Sequence, residues 1–358
     1  MNSRTTTAGI VRDRARRAVL AACACSLGIL LAPVAQADDG GKSLYLLGKR
    51  GPLAAFVPKP GFYVTNDVYW YDGSSSDFVP LGDRLGERVV QDVSAQALMD
   101  IPQFTWVTDV TVGGGRLAFS AVVPFGKIDV DANGTVEPPG GGAFPTVKIS
   151  DSDSGFGDPV VGSSVGWKNR DGDKFRAWSV YSALYIPIGS YEVGRIANLS
   201  GNRWGLDVGG AYTMANFKGG REFSSVLGFT FNGDNQDTDY SSGTDMHLEI
   251  SGRQHLPNNW AFGIVGYWFQ QLTADSNGPD ILGDYKGRVF GIGPEIAYQF
   301  PGKVHPVGVD LRWYYEFGAE NRLEGNGVFL TLSVPLSTRP PRNKSEDWTQ
   351  AETATEAR

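Results

Sequence analysis

Histidine occurs three times in this chain of 358 residues and cysteine only twice, at Cys23 and Cys25. After Ala37 no apolar run approaches the ~20 residues that a membrane-spanning helix requires. Basic residues are outnumbered too, with 32 lysines and arginines against 39 aspartates and glutamates. These shortages exclude a helical membrane protein, argue against nucleic acid as a partner, and leave little material for metal or nucleophilic chemistry.

The first 37 residues read as an export signal. Arg12, Arg14, Arg16 and Arg17 form a basic start, Ala18 to Val34 is an apolar run, and Ala35-Gln36-Ala37 is a small-x-small cleavage site. Cleavage there places the start of the mature chain at Asp38. Leu20-Ala21-Ala22-Cys23 has the look of a lipoprotein cleavage box, but too few apolar residues separate it from Arg17 to form a signal core. Both cysteines then leave with the signal, so the mature chain is expected to form no disulfide and to bind no metal through thiolate. Five arginines and one aspartate leave as well; the 32 basic residues become 27, the 39 acidic become 38, and the net charge is −11.

The mature chain is patterned. From residue 156 to 336, stretches of about ten residues with every second residue apolar are separated by turns that are alternately short and long. Short ones include Lys218-Gly219-Gly220, Pro257-Asn258-Asn259 and Pro301-Gly302-Lys303; long ones run from Ser190 to Gly201, Asn232 to Ser242 and Thr273 to Lys286. In Val307 to Phe317 the odd positions Val307, Val309, Leu311, Trp313, Tyr315 and Phe317 are apolar or aromatic, whereas Asp310, Arg312 and Glu316 are charged. Val328 to Leu336, Met246 to Ile250 and Phe223 to Phe231 repeat the pattern. A soluble sandwich alternates also, but its buried face seldom stacks Trp and Tyr near strand ends. Trp70, Trp167, Trp204, Trp260, Trp268 and Trp313 sit where aromatic girdles belong. A mean hydropathy of −0.21 fits strands that are apolar on one face only.

The expected fold is therefore all-β: a transmembrane, antiparallel, up-and-down β-barrel of about 12 strands, with short periplasmic turns and long extracellular loops. The chain divides into a signal peptide (1–37), an N-terminal periplasmic or plug segment (38–59), the barrel (60–336) and a polar, disordered tail (337–358). Strands are predicted over 61–72, 88–107, 115–130, 156–169, 174–189, 202–217, 221–232, 243–256, 259–272, 287–300, 305–319 and 326–336. Pro102 raises the expectation of a bulge or a break in the second strand, because proline cannot donate to the ladder; Pro187, Pro294 and Pro335 do so more locally.

Several stretches resemble a known family. Gly61-Phe62-Tyr63, Phe104 to Thr108, Ser154-Gly155-Phe156-Gly157-Asp158, Pro187 to Tyr191, Asn202-Arg203-Trp204, Asp237 to Tyr240, Gly287 to Pro294 and Glu316-Phe317-Gly318 to Arg322 are similar to the outer-membrane family linked with the meta-pathway of phenol degradation. The likeness spans nearly the whole mature chain. It implies a barrel that admits hydrophobic or aromatic compounds. One departure is the polar stretch Ser337 to Arg358, which contains Pro340-Pro341, where related proteins end at the last strand.

Candidate chemistry is sparse. His255 and His305 fall beside short turns and His247 has inner-face parity, so no histidine stands beside a serine on the lipid-facing wall, as an outer-membrane hydrolase needs. No catalytic residue, cofactor or metal site is assigned. Asp129-Val130-Asp131-Ala132-Asn133-Gly134 starts like a calcium loop, but its twelfth position is Gly140 and only Glu137 is near. Asp151-Ser152-Asp153 and Asp234 to Asp239 are expected on the same long-loop side, as solvated acids or as weak divalent bridges to lipopolysaccharide. Lumen-lining candidates are His247, Glu249, Arg253, Glu295, Asp310, Arg312 and Glu316, whose charges largely offset one another. Plug candidates are Leu44, Tyr45, Leu47 and Phe56, apolar residues that would otherwise face water. The function expected is passive entry of small hydrophobic or aromatic solutes across the bacterial outer membrane, in contact with its lipids and after insertion by the barrel assembly machinery. A structural or adhesive barrel, or an outer-membrane enzyme, is the alternative.

Overall fold

The computed structural model describes residues 43–76, 79–80, 89–135, 146–238, 240–274, 286–302 and 307–338. The export signal with Cys23 and Cys25, His305, Glu137, Gly140, Asp239 and the tail beyond Thr338 lie outside the described residues.

Twelve antiparallel strands close into one barrel. They are β1 (Gly61–Ser75), β2 (Val89–Val112), β3 in two pieces (Gly115–Val122 and Phe125–Thr135), β4 in two pieces (Thr146–Phe156 and Val160–Asp171), β5 (Lys174–Tyr185) and β6 (Gly205–Asn216). The remaining six are β7 (Arg221–Asn232), β8 (Asp245–His255), β9 (Trp260–Gln271), β10 (Arg288–Phe300), β11 (Val307–Glu320) and β12 (Glu324–Thr338). Val79–Pro80 adds a short pairing to β2. Each strand pairs with its sequence neighbours, and β1 closes on β12 from Gly61↔Thr338 to Ser74↔Glu324. Closure removes the free edges that would otherwise carry unpaired backbone groups into lipid.

The alternation in sequence becomes two faces. On β11, Leu311, Trp313, Tyr315 and Phe317 are exposed while Arg312, Tyr314 and Glu316 are buried. The same holds on β7, where Phe223, Leu227 and Phe231 point out and Val226 points in. An exterior so rich in large apolar side chains is stable only against lipid.

The prolines are accommodated locally. Strand β2 runs unbroken through Pro102, which sits opposite Asn66 on β1. Its ladder to β3 skips between Gln103↔Val122 and Asp100↔Phe125, where Pro124 divides β3, and Val123 still donates to the Pro102 carbonyl at 3.1 Å; two further irregularities, between Val107 and Thr111 and between Gln91 and Ser94, lie away from the prolines. The two prolines therefore share one interruption. At Pro335 the β1–β12 register shifts, and Pro187 falls beyond the end of β5.

Two sequence expectations are corrected. Asp129 to Gly134 is strand, part of β3, so Asp129, Asp131 and Asn133 stand in a row along one face, about 6.6 Å apart, and cannot converge on one ion. Asp151 to Asp153 likewise belong to β4, which begins at Thr146 and not near residue 156. There the outer face of the wall changes character: Phe119, Val123 and Phe125 give way to Lys127, Asp129 and Asp131 along β3, and Phe156 to Ser154, Ser152 and Ser150 along β4. The inner side of this extension carries an apolar patch, with Val93, Ala95, Val130 and Ala132 packed on Ala197 and Ile196. Long β2–β4 thus rise beyond the apolar belt into water, and alternation alone does not mark where lipid ends.

Residues 186–204, partly predicted as strand, are a loop that leans on the second edge of the Thr146–Phe156 piece. That edge pairs with no strand among the described residues. Three carboxylates replace the missing ladder. Asp151 accepts from Arg195 Nη2 at 2.6 Å and from the Ala197 amide at 3.2 Å. Asp153 accepts from Ser190 Oγ and the Leu199 amide, and Asp158 from Ser200 Oγ and the Gly189 and Gly201 amides. The Arg195 guanidinium holds the Asp151 carboxyl below the usual carboxylate range.

Candidate functional site

The inward faces converge on residues 43–60, a segment with no strand or helix of its own. Inside a barrel its backbone groups cannot all reach water, so the wall must satisfy them. Glu249 on β8 accepts from the Gly48 amide and from the Tyr45 hydroxyl, each at 2.9 Å. Arg312 on β11 donates to the Gly48 carbonyl at 2.6 Å. Nearer the periplasmic end the Leu53 amide donates to Glu222 at 2.8 Å and the Ala55 amide to Thr213 at 3.2 Å.

Side chains of the segment complete the fit. Tyr45 stacks on His247 with ring centroids 3.5 Å apart and planes 12° from parallel. Lys49 pairs with Asp67, and the Arg50 guanidinium lies 3.7 Å from the centre of the Tyr181 ring. Tyr45 and Leu47 join a buried cluster with Val265, Tyr267, Phe269, Val289, Tyr314 and Phe329. Ala55 joins a second cluster with Phe175, Ala177, Tyr181, Ala211 and Val226, against which Phe56 packs. Leu44 reaches Gly201 and Gly205 at the extracellular end of β6. The segment therefore runs the height of the bore, from Leu44 near the long loops down to Gly61.

Gly48 is required where it stands. Its φ of +80° is strained for any residue with a Cβ, and a Cβ there would lie 2.8 Å from the Tyr314 ring. Gly48→Ala should cost about 1–2 kcal/mol in backbone strain alone. Hydrogen exchange at the Tyr45 to Lys49 amides should accelerate while the barrel keeps its heat-dependent gel shift; unchanged exchange would show that the segment is not held at this point.

All seven lumen-lining candidates lie on the inner face. Arg253 bridges Glu295 and Asp310, Arg312 reaches Asp310 at 3.0 Å and Asp67 at 3.5 Å, and Glu316 accepts from the Tyr71 and Tyr267 hydroxyls at 2.8 and 2.7 Å. His247 shares a 3.0 Å contact with Asp207. His255 meets Glu222 at 2.7 Å beside a periplasmic turn. Asp67, Asp207 and Glu222 are functional-face residues outside the predicted set, each at an inner-face position of its strand; the parity rule that flags Asp310 reaches them as well. Lys49 and Arg50, which anchor the segment, give no such signal, because no periodicity governs an irregular stretch. Among the described residues no cluster of three or more histidine, cysteine or acidic side chains could hold a metal ion.

A profile of the family described as "Putative MetA-pathway of phenol degradation" matches residues 81–332. The chain belongs to this family. No curated protein matches it by sequence. Among solved structures, an outer membrane channel from Pseudomonas putida F1 is 16% identical over 81% of this chain and 99% of its own, with a TM-score of 0.56, which shows the shared barrel fold. A FadL homologue from Pseudomonas aeruginosa (10% identical, 84% and 98% covered, TM-score 0.36) and the monoaromatic hydrocarbon channel CymD (6%, 79% and 90%, 0.33) superpose too loosely to add to that.

Proposed function

We propose that this protein is an outer-membrane channel for passive entry of small, neutral, hydrophobic or aromatic solutes, with residues 43–57 as a plug that narrows and lines the bore. The observation that carries the reading is the division of labour on the inner face. Most of its charges are bound to one another, Arg253 to Glu295 and Asp310, Arg312 to Asp310 and Asp67, Lys49 to Asp67, while Glu249 and Glu316 are held by tyrosine hydroxyls and, for Glu249, the Gly48 amide. They leave little net field to select an ion. The apolar side chains are gathered instead into a packed cluster of Tyr45, Leu47, Tyr267, Phe269, Tyr314 and Phe329, with Tyr69 against it, which becomes a surface for a solute where the plug shifts aside. A neutral aromatic ring gains more from such a surface than from water.

The family's association with phenol degradation supports the solute class. Uptake of a radiolabelled monoaromatic hydrocarbon by cells carrying the protein should exceed that of cells without it, while uptake of a sugar of similar mass should not change. Equal uptake of both solutes would overturn the preference; no increase for either would favour a structural barrel.

A further inference from the structure

The exterior of the barrel holds one anomaly. On β1 the outward positions read Phe62, Val64, Asn66, Val68 and Trp70, and on β2 they read Leu98, Asp100, Pro102, Phe104 and Trp106. Phe62 stacks on Trp106 at the periplasmic rim, with ring centroids 6.2 Å apart, and Trp70 stands opposite Leu98 near the extracellular rim. Asn66 lies midway, about 13 Å along the strand from each aromatic landmark. Its Nδ2 donates to Asp100 Oδ1 at 2.5 Å, and neither side chain has another hydrogen bond among the described residues.

Between the aromatic rims no other outward position of the described strands carries a charged side chain; the other carboxamides, Asn326 and Gln254, stand toward the ends of the belt and are bonded there, Asn326 by accepting from Trp313 Nε1 at 3.0 Å and Gln254 by donating to the Gly219 carbonyl at 2.8 Å. The remaining polar members are hydroxyls such as Ser163 and Ser182, which bond to each other at 3.0 Å. The Asn66–Asp100 pair is left with one N–H donor and two acceptor oxygens aimed into lipid, where no solvent can satisfy them. Charge facing lipid in a barrel wall is destabilising.

We propose that this wall is covered by a second copy of the chain, in a two-fold contact centred on Asn66 and Asp100. The pair is self-complementary, as an isologous contact demands: the free N–H of each Asn66 meets the free carboxylate oxygen of the partner's Asp100. Phe104, Leu98 and Leu332, all well exposed, surround it and pack against their copies. Nothing in this arrangement depends on what the bore conducts.

The test uses the full-length protein in native outer membranes, with Cys23 and Cys25 replaced by alanine. Phe104→Cys, or Val64→Cys as a second position, should cross-link on oxidation to a species of twice the protomer mass, whereas Leu227→Cys on the far wall should not. Adding Asn66→Asp, which sets like charges face to face, or the double change Asn66→Leu with Asp100→Leu, should reduce that cross-link at least tenfold while the heat-dependent gel shift shows a closed barrel. No cross-link at either position in closed barrels, equal cross-linking at residue 227, or an adduct with a chain of different mass would overturn the proposal. The last two would point to random collision and to a different partner.

Discussion

Removing residues 43–57 should raise single-channel conductance several-fold and leave the barrel closed. No strand pairing involves these residues; the ladder begins at Gly61, and β1–β12 closure runs the length of both strands. What the deletion removes is the material inside. Tyr45, Leu47 and Ala55 are each less than a tenth exposed, so their loss empties two packed clusters and turns the inner face over to water. Of the charges left behind, Asp67 loses Lys49 but retains Arg312 and Thr331, and Glu222 retains His255, whereas Glu249 loses both the Gly48 amide and the Tyr45 hydroxyl and takes water in their place. Preference for aromatic over ionic solutes should fall at the same time, because Tyr45 and Leu47 leave the apolar surface. Planar-bilayer recordings on protein with a normal heat shift decide the matter. Unchanged conductance would mean that the segment does not limit the bore.

Leu311→Arg should impair assembly or stability by about 2–4 kcal/mol, since it faces a guanidinium toward lipid near mid-wall. Its neighbour Asp310 faces the lumen, and there the structure changes the natural comparison. Asp310 lies between Arg253 and Arg312, so Asp310→Arg would bring three guanidiniums together and should also be damaging, by repulsion and not by contact with lipid. Asp310→Asn is the informative control. It keeps the shape, and Arg253 retains Glu295 while Arg312 retains the Gly48 carbonyl and Thr331. Denaturant unfolding in lipid vesicles should rank Leu311→Arg well below Asp310→Asn; the reverse order would invert the assignment of faces.

The barrel is legible in the sequence because its physics is periodic. A wall with lipid on one side and a polar bore on the other writes itself as alternation, and Leu311 to Phe317 against Arg312 and Glu316 is enough to assign both faces. Periodicity says less about where a strand ends. Thr146–Phe156 is polar on its outer face, at Lys148, Ser150, Ser152 and Ser154, and carries Asp151 and Asp153 on its inner one, so it lacks the apolar alternation of the membrane pattern and mimics an acidic loop. The carboxylates of Asp151, Asp153 and Asp158 pass for solvated charge for the same reason; that they hold residues 186–204 depends on loop amides far away in sequence. Partners such as Lys49 with Asp67, or Tyr45 with His247 and Glu249, are beyond any sequence pattern, since they join an irregular stretch to strands as far away as β8.

The path of the N-terminal segment constrains the order of events during assembly. Leu44 sits against the extracellular end of β6 while Gly61 starts β1 at the periplasmic end, so the first part of the chain stands inside a ring that the last strand completes. Either the segment is already laid along the growing sheet when β12 meets β1, or it must be threaded upward through a finished cylinder. The first route is the easier one, because Glu222, Ser224 and Glu249 on β7 and β8 can take hold of the Leu53 and Gly48 amides before the seam shuts. The segment would then act as a mandrel around which the wall is wound.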